Sequence, residues 1–369
     1  MDTHALFVGA TDRLGRGLAR AGLAPRLRGP DDARLVFYHG IGDNSAPCLR
    51  WLVDELDEAS FERQLDFLAA RYEPVSMDEV ADGYDDPRPP GDGAARRRPP
   101  CAISFDDGLS TVYSKAFPLL RTRRIPFTVY LNTAVIDNAD LLWQHRLGYL
   151  VSTLGRDATV RALEDAFDGA HPPVPDEIGA RGLERWCRDR SGALHALGAF
   201  DRAFDALGLD AAAVAREQRL YLTVEEIGEM HAAGASFHSH THAHLALGTV
   251  DDEAVVREQF ERAFATLSGG APFGTRFASL PYGAPDQYGA GAVDAARRAG
   301  HEWIVEVGDG LNPPARVRAR RLFARVNLGR VEAAPGALYS ALELRPGIKA
   351  MLGRGSPGRP APAREVGPA

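Results

Sequence analysis

Short apolar runs alternate with amphipathic segments over most of the chain. Runs that are rich in β-branched and aromatic residues and bounded by turn-forming residues predict buried strands. Six of them lie at 34–41, 101–108, 126–133, 276–283, 302–307 and 321–328. Because near-continuous apolar strands are typical of parallel sheets with helices on their faces, the chain is predicted to fold as an α/β protein.

Apolar positions spaced three and four residues apart predict helices between these strands. The clearest lie at 60–71, 110–124, 222–234 and 251–268. Ser60 is the expected N-cap of the first helix, and Pro118 is expected to kink or reset the second. Thr223 and Glu226 have the spacing of a capping box at the start of the third.

The alternation is interrupted between 134 and 220, where helical pieces and a Pro-rich break replace the strand signals. We therefore predict a mostly helical insertion at about 134–220, within a main domain that spans 34–350. Residues 1–33, rich in Gly, Arg and Asp, are predicted to form a loosely packed N-terminal arm. The low-complexity segment 351–369 is predicted to be disordered.

The bulk composition is that of an ordinary globular protein, with 45% hydrophobic residues, 25% charged residues and a formal net charge of −7. The negative charge argues against a nucleic-acid partner. Cys48, Cys101 and Cys187 are scattered without a CxxC pair, so neither a disulfide framework nor a cysteine metal site is expected. The first residues lack the apolar run of a secretory signal, and no apolar stretch is long enough for a transmembrane helix. We therefore expect a cytoplasmic protein.

Two adjacent carboxylates, Asp106 and Asp107, end the apolar run "CAISFDDG" at 101–108. The carboxyl end of a strand in a parallel α/β barrel is where active sites are built. Where the strand gives way to its loop, both side chains can turn toward one cavity. The alternative is that the pair caps the next helix through a turn.

The segment "SFHSHTHAHLAL" (236–247) carries histidines at every second position, namely His238, His240, His242 and His244. Such a run can be a weak metal-buffering tract or a solvated loop. Here, however, apolar residues flank it on both sides, which places it in a core element. Neutral imidazoles together with a carboxylate are the ligands of a divalent metal site.

Three short motifs in this order, "SFDDG" (104–108), "HTHAH" (240–244) and "LPYG" (280–283), resemble the first three motifs of the polysaccharide deacetylase family (NodB homology, carbohydrate esterase family 4). The resemblance extends over roughly 34–133 and 222–328, and it is closest to the branch associated with bacterial surface-polysaccharide gene clusters. It implies a distorted (β/α) barrel that carries the helical insertion.

The resemblance also implies a site with one divalent metal ion, zinc in the first place, with cobalt or nickel as alternatives. Asp107, His240 and His244 would be the metal ligands. Asp106 would be the general base that takes a proton from the attacking water, and the backbone N–H of Tyr282 would help to hold the oxyanion.

The chain departs from the family pattern at several positions. Leu245 replaces the usual proline after the second histidine, and the common arginine before the third motif is missing. Arg325, on a late strand, is predicted to take over the task of orienting Asp106 and keeping it ionised. The alternative is that Arg325 is one of several arginines on a basic edge.

The general acid that protonates the leaving amine has no clear motif. His39, at the end of the first strand, lies at the correct end of the barrel and is our candidate. His145, His238 and His301 compete with it, and each could equally be a buried structural histidine. Trp143 could stack on a sugar ring or belong to the core.

The predicted function is a metal-dependent deacetylase that hydrolyses the acetamide of an N-acetylated sugar, in a glycan or in a lipid-linked or nucleotide-linked precursor. Two alternatives keep the fold. The first is a hydrolase that removes O-acetyl groups or cleaves a non-sugar C–N amide bond. The second is a catalytically silent member that only binds glycan.

Overall fold

Eight parallel strands form the centre of the protein. The computed structural model describes residues 3–20, 32–42, 45–50, 52–53, 56–85, 98–167 and 173–351. The strands are β1 (Arg34–Tyr38), β2 (Glu73–Pro74), β3 (Pro100–Phe105), β4 (Phe127–Leu131), β5 (Ser236–Ser239), β6 (Phe273–Ser279), β7 (Trp303–Val307) and β8 (Leu322–Asn327). They include all six strands that the apolar runs predicted.

Seven of these strands close into a ring. The order is β1–β8–β7–β6–β5–β4–β3, and β3 returns to β1 along five residue pairs from Arg34–Cys101 to Tyr38–Phe105. The short β2 pairs with β3 outside the ring. The fold is therefore the predicted distorted (β/α) barrel. Because all pairs are parallel, the carboxyl ends of the strands lie at one rim, where side chains from different strands can converge.

Side chains alternate between the barrel interior and the helical layer. Val36 and Val129 pack in one cluster with helical residues such as Leu65, so they face outward. Their strand neighbours Leu35 and Tyr130 belong to a different cluster. Since successive strand residues point to opposite faces, this second set faces the interior.

The described residues form the following α-helices: α1 (Thr3–Arg20), α2 (Glu58–Arg71), α3 (Met77–Asp85), α4 (Phe117–Arg123), α5 (Trp143–Leu154), α6 (Arg156–Phe167), α7 (Ala180–Arg188), α8 (Ser191–Ala196), α9 (Ala199–Ala206), α10 (Ala211–Gln218), α11 (Val224–Ala232), α12 (Glu253–Leu267), α13 (Pro285–Tyr288), α14 (Gly291–Ala299), α15 (Pro314–Arg320), α16 (Pro335–Tyr339) and α17 (Arg345–Met351). Two π-helical turns, at 112–116 and 340–344, lead directly into α4 and α17. Within these ranges, no helix is both long and apolar enough to cross a membrane.

The helix boundaries agree with local capping chemistry, with one correction. The predicted capping box of Thr223 and Glu226 starts α11. The N-cap of α2, however, is Asp57, whose carboxylate accepts the N–H of Ser60 at 2.8 Å. Ser60 lies inside the helix, because Asp57 is an equally good N-cap and comes first along the chain.

The predicted insertion is helical, and it packs on the barrel. Helices α5 to α10 occupy the connection between β4 and β5. Leu183 and Phe200 of the insertion share one apolar cluster with Leu280 and Phe260 from the barrel and its helices. The insertion is therefore one structural unit with the barrel wall.

The two ends of the described chain meet beside the barrel. Residues 3–20, predicted as a loosely packed arm, form helix α1, and Asp12 pairs with Arg345 at 2.9 Å. A buried ion pair between Arg34 and Glu343 (2.8 Å) ties the start of β1 to the C-terminal helices. Residues 21–31 of the predicted arm and 352–369 of the predicted tail lie outside the described residues.

Candidate active site

Asp106 and Asp107 are both buried at the carboxyl rim of the barrel, and both carboxylates lie within 4.0 Å of Nε2 of His240. The N–H of Asp106 still donates to Tyr38 at 2.9 Å, as an extension of the strand pairing. Asp107 and Gly108 then take positive φ angles of 69° each, which breaks the strand alternation. This backbone turn brings two adjacent carboxylates to the same side. The helix-capping alternative is wrong, since the N-cap of the next helical turn is Thr111 and no side chain caps that turn.

Asp107 forms a compact group with His240 and His244. Its Oδ1 atom lies 3.5 Å from Nε2 of His240 and 3.4 Å from Nε2 of His244. The three side chains offer ligand atoms that all lie within 4.8 Å of one another. His240 and His244 converge because the strand ends at Ser239, and His244 takes a positive φ of 54° in the loop that follows.

A backbone carbonyl fixes the tautomer of the His240 ring. Nδ1 of His240 lies 2.9 Å from the carbonyl oxygen of Ser279. Since a carbonyl only accepts, Nδ1 carries a proton, so that in the neutral ring the lone pair is on Nε2, the nitrogen that faces Asp107. The peptide of His240 is held on both sides, by the carbonyl of Leu131 (2.8 Å) and by Nδ2 of Asn132 (2.5 Å).

These residues fit a divalent cation. Oδ1 of Asp107 is buried without a hydrogen-bond partner, although it lies within 3.5 Å of two imidazole nitrogens. Donor atoms about 2.0–2.2 Å from a tetrahedral zinc ion lie about 3.3–3.5 Å apart, which matches the two observed separations. Burial, followed by the charge of His240, holds the pKa of His244 well below its usual value, so the ring is in the neutral form that a metal needs.

Asp106 is held by an arginine from the barrel interior. Arg325 donates to both carboxylate oxygens at 2.8 Å, and also to Ser104 Oγ (2.9 Å) and Ser279 Oγ (2.7 Å). Its guanidinium lies over the rings of Phe37 and Tyr130. Arg325 is fully buried, so it is not part of a basic edge.

The two carboxylates have pKa values that move in opposite directions. Burial is the largest single effect on Asp106 and raises its pKa, but the charge and hydrogen bonds of Arg325, together with the charges of His240 and His39, hold that pKa below its usual value. Burial raises the pKa of Asp107, which has no such partner, against smaller opposing effects of His39 and His240. One carboxylate is thus kept ionised by a fixed cation, and the other still needs a positive charge at its free oxygen.

Tyr282 closes one side of the site. Its φ of 59° is left-handed, and Gly283 follows at a position where a Cβ atom would lie 2.4 Å from Val307 Cγ2. The ring of Tyr282 packs edge-on against His244 at a centroid distance of 4.9 Å. Its backbone N–H donates to no acceptor within the described part of the chain, so it is free to bind a substrate oxygen.

The other histidines are separated into different environments. His238 is buried beside Phe277 in the barrel interior, and His242 contacts Oγ1 of Thr133 at 2.9 Å. His301 packs between helix α12 and β6, where Nδ1 donates to the carbonyl of Thr275 at 2.6 Å. None of these three belongs to the metal-ligand group.

His39 and His145 both lie near the carboxylates. His39 is half-buried at the end of β1, close enough to Asp106 and Asp107 to act electrostatically on both. His145 is buried, and its Nδ1 lies 2.6 Å from the hydroxyl of Tyr221. Burial, together with the charge of His39, lowers the pKa of His145 to about 3.

The insertion contributes residues to the site that the motifs did not reveal. Trp143, the first residue of α5, donates its indole N–H to the carbonyl of His244 at 3.1 Å and packs on Phe200, so it is a core residue. Gln144 contacts Nδ1 of His244 at 3.1 Å. Arg188 of α7 lies over the ring of Tyr282. The sequence offered one signal for them, the position of "LLWQH" (141–145) shortly after a strand that ends at the carboxyl rim.

The fold is that of solved deacetylase structures. The Streptococcus pyogenes deacetylase PplD, solved in complex with acetate, superimposes with a TM-score of 0.53, over 85% of this chain and 98% of that chain, at 16% sequence identity. BA0330 from Bacillus anthracis, assigned as a polysaccharide deacetylase, gives a TM-score of 0.51 over 85% of this chain and 69% of that chain, at 13% identity. No family model and no curated protein matches the sequence. The chain thus has the polysaccharide-deacetylase fold that its motifs predicted.

Proposed function

We propose that this protein is a metal-dependent deacetylase that hydrolyses the acetamide of an N-acetylated sugar, in a glycan or in a lipid-linked or nucleotide-linked glycan precursor. The observation that carries the proposal is the buried group of Asp107, His240 and His244 beside a second carboxylate, Asp106, that Arg325 holds ionised. The shared fold with proteins described as deacetylases supports it.

Asp107, His240 and His244 are the residues that would hold the divalent cation. One carboxylate and two neutral imidazoles match zinc best, with cobalt and nickel as alternatives. When bound, such a cation supplies Lewis-acid polarisation of the substrate carbonyl and lowers the pKa of water. The chain's own residues supply the remaining functions.

Asp106 acts as the general base. It takes a proton from the water whose oxygen adds to the acetamide carbonyl carbon, because Arg325 keeps its carboxylate ionised at neutral pH. The backbone N–H of Tyr282 donates to the oxygen that becomes negative during this addition. The C–N bond then breaks, and the sugar nitrogen must gain a proton to leave as an amine, with acetate as the second product.

His39 is the proposed donor of that proton. It lies at the rim beside both carboxylates, and it is half-buried, so a proton from solvent can reach it. His145 is a poor donor, since its lowered pKa keeps it neutral at physiological pH. His238 and His301 are excluded by position, because both lie in apolar packing away from the ligand group.

Product analysis tests this function directly. Zinc-loaded protein is incubated with N-acetylglucosamine oligomers and, separately, with an O-acetylated sugar. Free amine is measured by fluorescamine, and acetate by a coupled assay. We expect equal amounts of amine and acetate from the first substrate, and neither from Asp106→Asn protein. Acetate from the O-acetylated sugar alone would identify an esterase, and no product from any acetylated sugar would contradict deacetylation and favour a silent glycan-binding protein.

A further inference from the structure

The side chain of Gln144 has one unsatisfied end in the candidate active site. It is buried at the start of α5, and its amide nitrogen lies 3.1 Å from Nδ1 of His244. The amide oxygen Oε1, by contrast, is buried without any partner. Because Oε1 has no partner, hydrogen bonding at that end does not decide which way the amide is oriented, and the contact with His244 decides it.

A rotation of the amide by 180° exchanges its two ends without moving the rest of the side chain. Oε1 then faces Nδ1 of His244 and accepts its proton. The ring nitrogen Nε2 is left with a lone pair that points at Oδ1 of Asp107, which lies 3.4 Å away. In the opposite orientation, Nε2 would carry the proton and could not bind a cation.

The rotated arrangement makes the two histidines equivalent. Nδ1 of His240 donates to the carbonyl of Ser279, which leaves Nε2 of that ring free for the same centre. A histidine ligand whose other nitrogen donates to an oxygen is the common arrangement at metal sites, because that hydrogen bond fixes the tautomer and the ring orientation. For His240 the oxygen comes from the barrel, and for His244 it comes from the insertion.

Neighbouring contacts fix Gln144 in place. Trp143 donates its indole N–H to the carbonyl of His244, and Tyr221 holds His145 on the other side. Three consecutive residues at the start of α5 are thus anchored at the rim. The position of the Gln144 amide therefore follows from the packing of the insertion on the barrel.

We propose that Gln144 is a positioning residue for the metal centre, whose side-chain oxygen accepts the Nδ1 proton of His244 and holds that ring in the ligand tautomer. The helical insertion then completes the metal site. The inference rests on the metal site of the proposed function, but it concerns metal affinity and is tested without turnover.

The test compares zinc dissociation constants of chelator-stripped proteins, measured by competition with a fluorescent zinc chelator. Gln144→Leu removes the acceptor and is expected to weaken zinc binding by about 10–100-fold. Gln144→Glu keeps an acceptor oxygen and is expected to bind within about threefold of wild type or more tightly. Gln64→Leu is the matched control, because Gln64 is a buried glutamine on α2 whose hydrogen bonds go to Tyr38 and the carbonyls of Leu328 and Val331, and not to a ligand. Its zinc affinity should equal that of wild type.

Each outcome decides the inference. Folded Gln144→Leu protein with wild-type zinc affinity would overturn it. If that variant does not fold, Gln144→Glu decides: a glutamate cannot donate, so a tenfold loss of affinity would mean that residue 144 donates to His244, and the inference would be wrong. Wild-type protein that binds zinc but releases no amine would refute the proposed activity and leave this inference intact. Wild-type protein that binds no zinc would contradict both the proposed function and this inference.

Discussion

Arg325 and Asp106 form a bidentate ion pair, with both N–O distances at 2.8 Å, although 219 residues separate them in the chain. The pair distinguishes the two adjacent carboxylates. Both oxygens of Asp106 are engaged by the guanidinium, whereas Oδ1 of Asp107 has no partner and faces two imidazoles. The fold thus gives two neighbouring carboxylates the different surroundings that the proposed roles of base and metal ligand require.

Replacing Arg325 by Lys is expected to lower kcat/KM by roughly 100-fold, because a lysine cannot make the two parallel hydrogen bonds that orient the base. The pH dependence should change as well. Arg325 lowers the pKa of Asp106, so its weaker replacement lets that pKa rise. Asp106 is active when ionised, and the acid limb of the kcat/KM profile should therefore move to higher pH.

Because the wild-type pKa of Asp106 lies below its ordinary value of 3.8, the kinetics must extend from pH 9 to below about pH 4 to measure this shift. The zinc content at each pH is the control and should be the same in both proteins. Arg320→Met, at an exposed arginine on α15, is the matched variant and should keep the wild-type profile. An Arg325→Lys profile with an unchanged acid limb would show that Arg325 does not act through Asp106.

His39→Gln is expected to slow amide hydrolysis by about 100–10,000-fold, because the leaving amine then lacks its proton donor. Hydrolysis of an aryl acetate should fall far less, since a phenolate leaves without protonation. The measured quantity is the ratio of the amide and aryl acetate hydrolysis rates, and His145→Gln is the comparison variant. Equal losses for both substrates would mean that His39 serves binding or structure.

Buried His301 should make the fold sensitive to acid. Burial lowers its pKa to about 4, and Nε2 has no acceptor for a proton. In the unfolded chain the pKa of His301 is about 6.5, so the unfolded state takes up a proton at a higher pH than the folded state. The stability is therefore fully present above pH 6.5 and is lost as the pH falls toward 4. Between pH 7 and 5 this residue should remove about 2 kcal/mol of unfolding free energy.

Urea unfolding of wild type and His301→Leu at both pH values checks this expectation. The variant should lose about 2 kcal/mol less than wild type over that interval. His195→Leu, at an exposed histidine, is the control. Parallel losses in wild type and His301→Leu would place the acid sensitivity elsewhere.

The strands and the rim were predictable because they follow local rules. An apolar run places β3 in a parallel sheet, and the apolar residues that flank the histidines place their segment in a core element. Parallel strands then bring Asp106 and His240 to one rim. The backbone turn at Asp107 was harder to predict from the sequence, since its positive φ depends on the barrel around it. The N-terminal helix α1 was missed because the Gly, Arg and Asp content of 1–33 is typical of a loose arm, although α1 itself is amphipathic and packs against the C-terminal helices.

Contacts between distant segments were the hardest to predict. Arg325 was predicted from its strand, but its position between Phe37 and Tyr130 depends on closure of the ring. Gln144 carries no motif at all, because its role depends on how α5 packs against the loop of His244. Sequence spacing alone does not specify such packing.

The metal content of three purified proteins tests the central claim most directly. Asp107→Ala removes a ligand, whereas Asp106→Asn changes only the proposed base. After zinc loading and gel filtration, we expect about one zinc ion per chain in wild type and in Asp106→Asn protein, and almost none in Asp107→Ala protein. Equal zinc content in wild type and folded Asp107→Ala protein would contradict the assignment of Asp107, His240 and His244 as a metal centre.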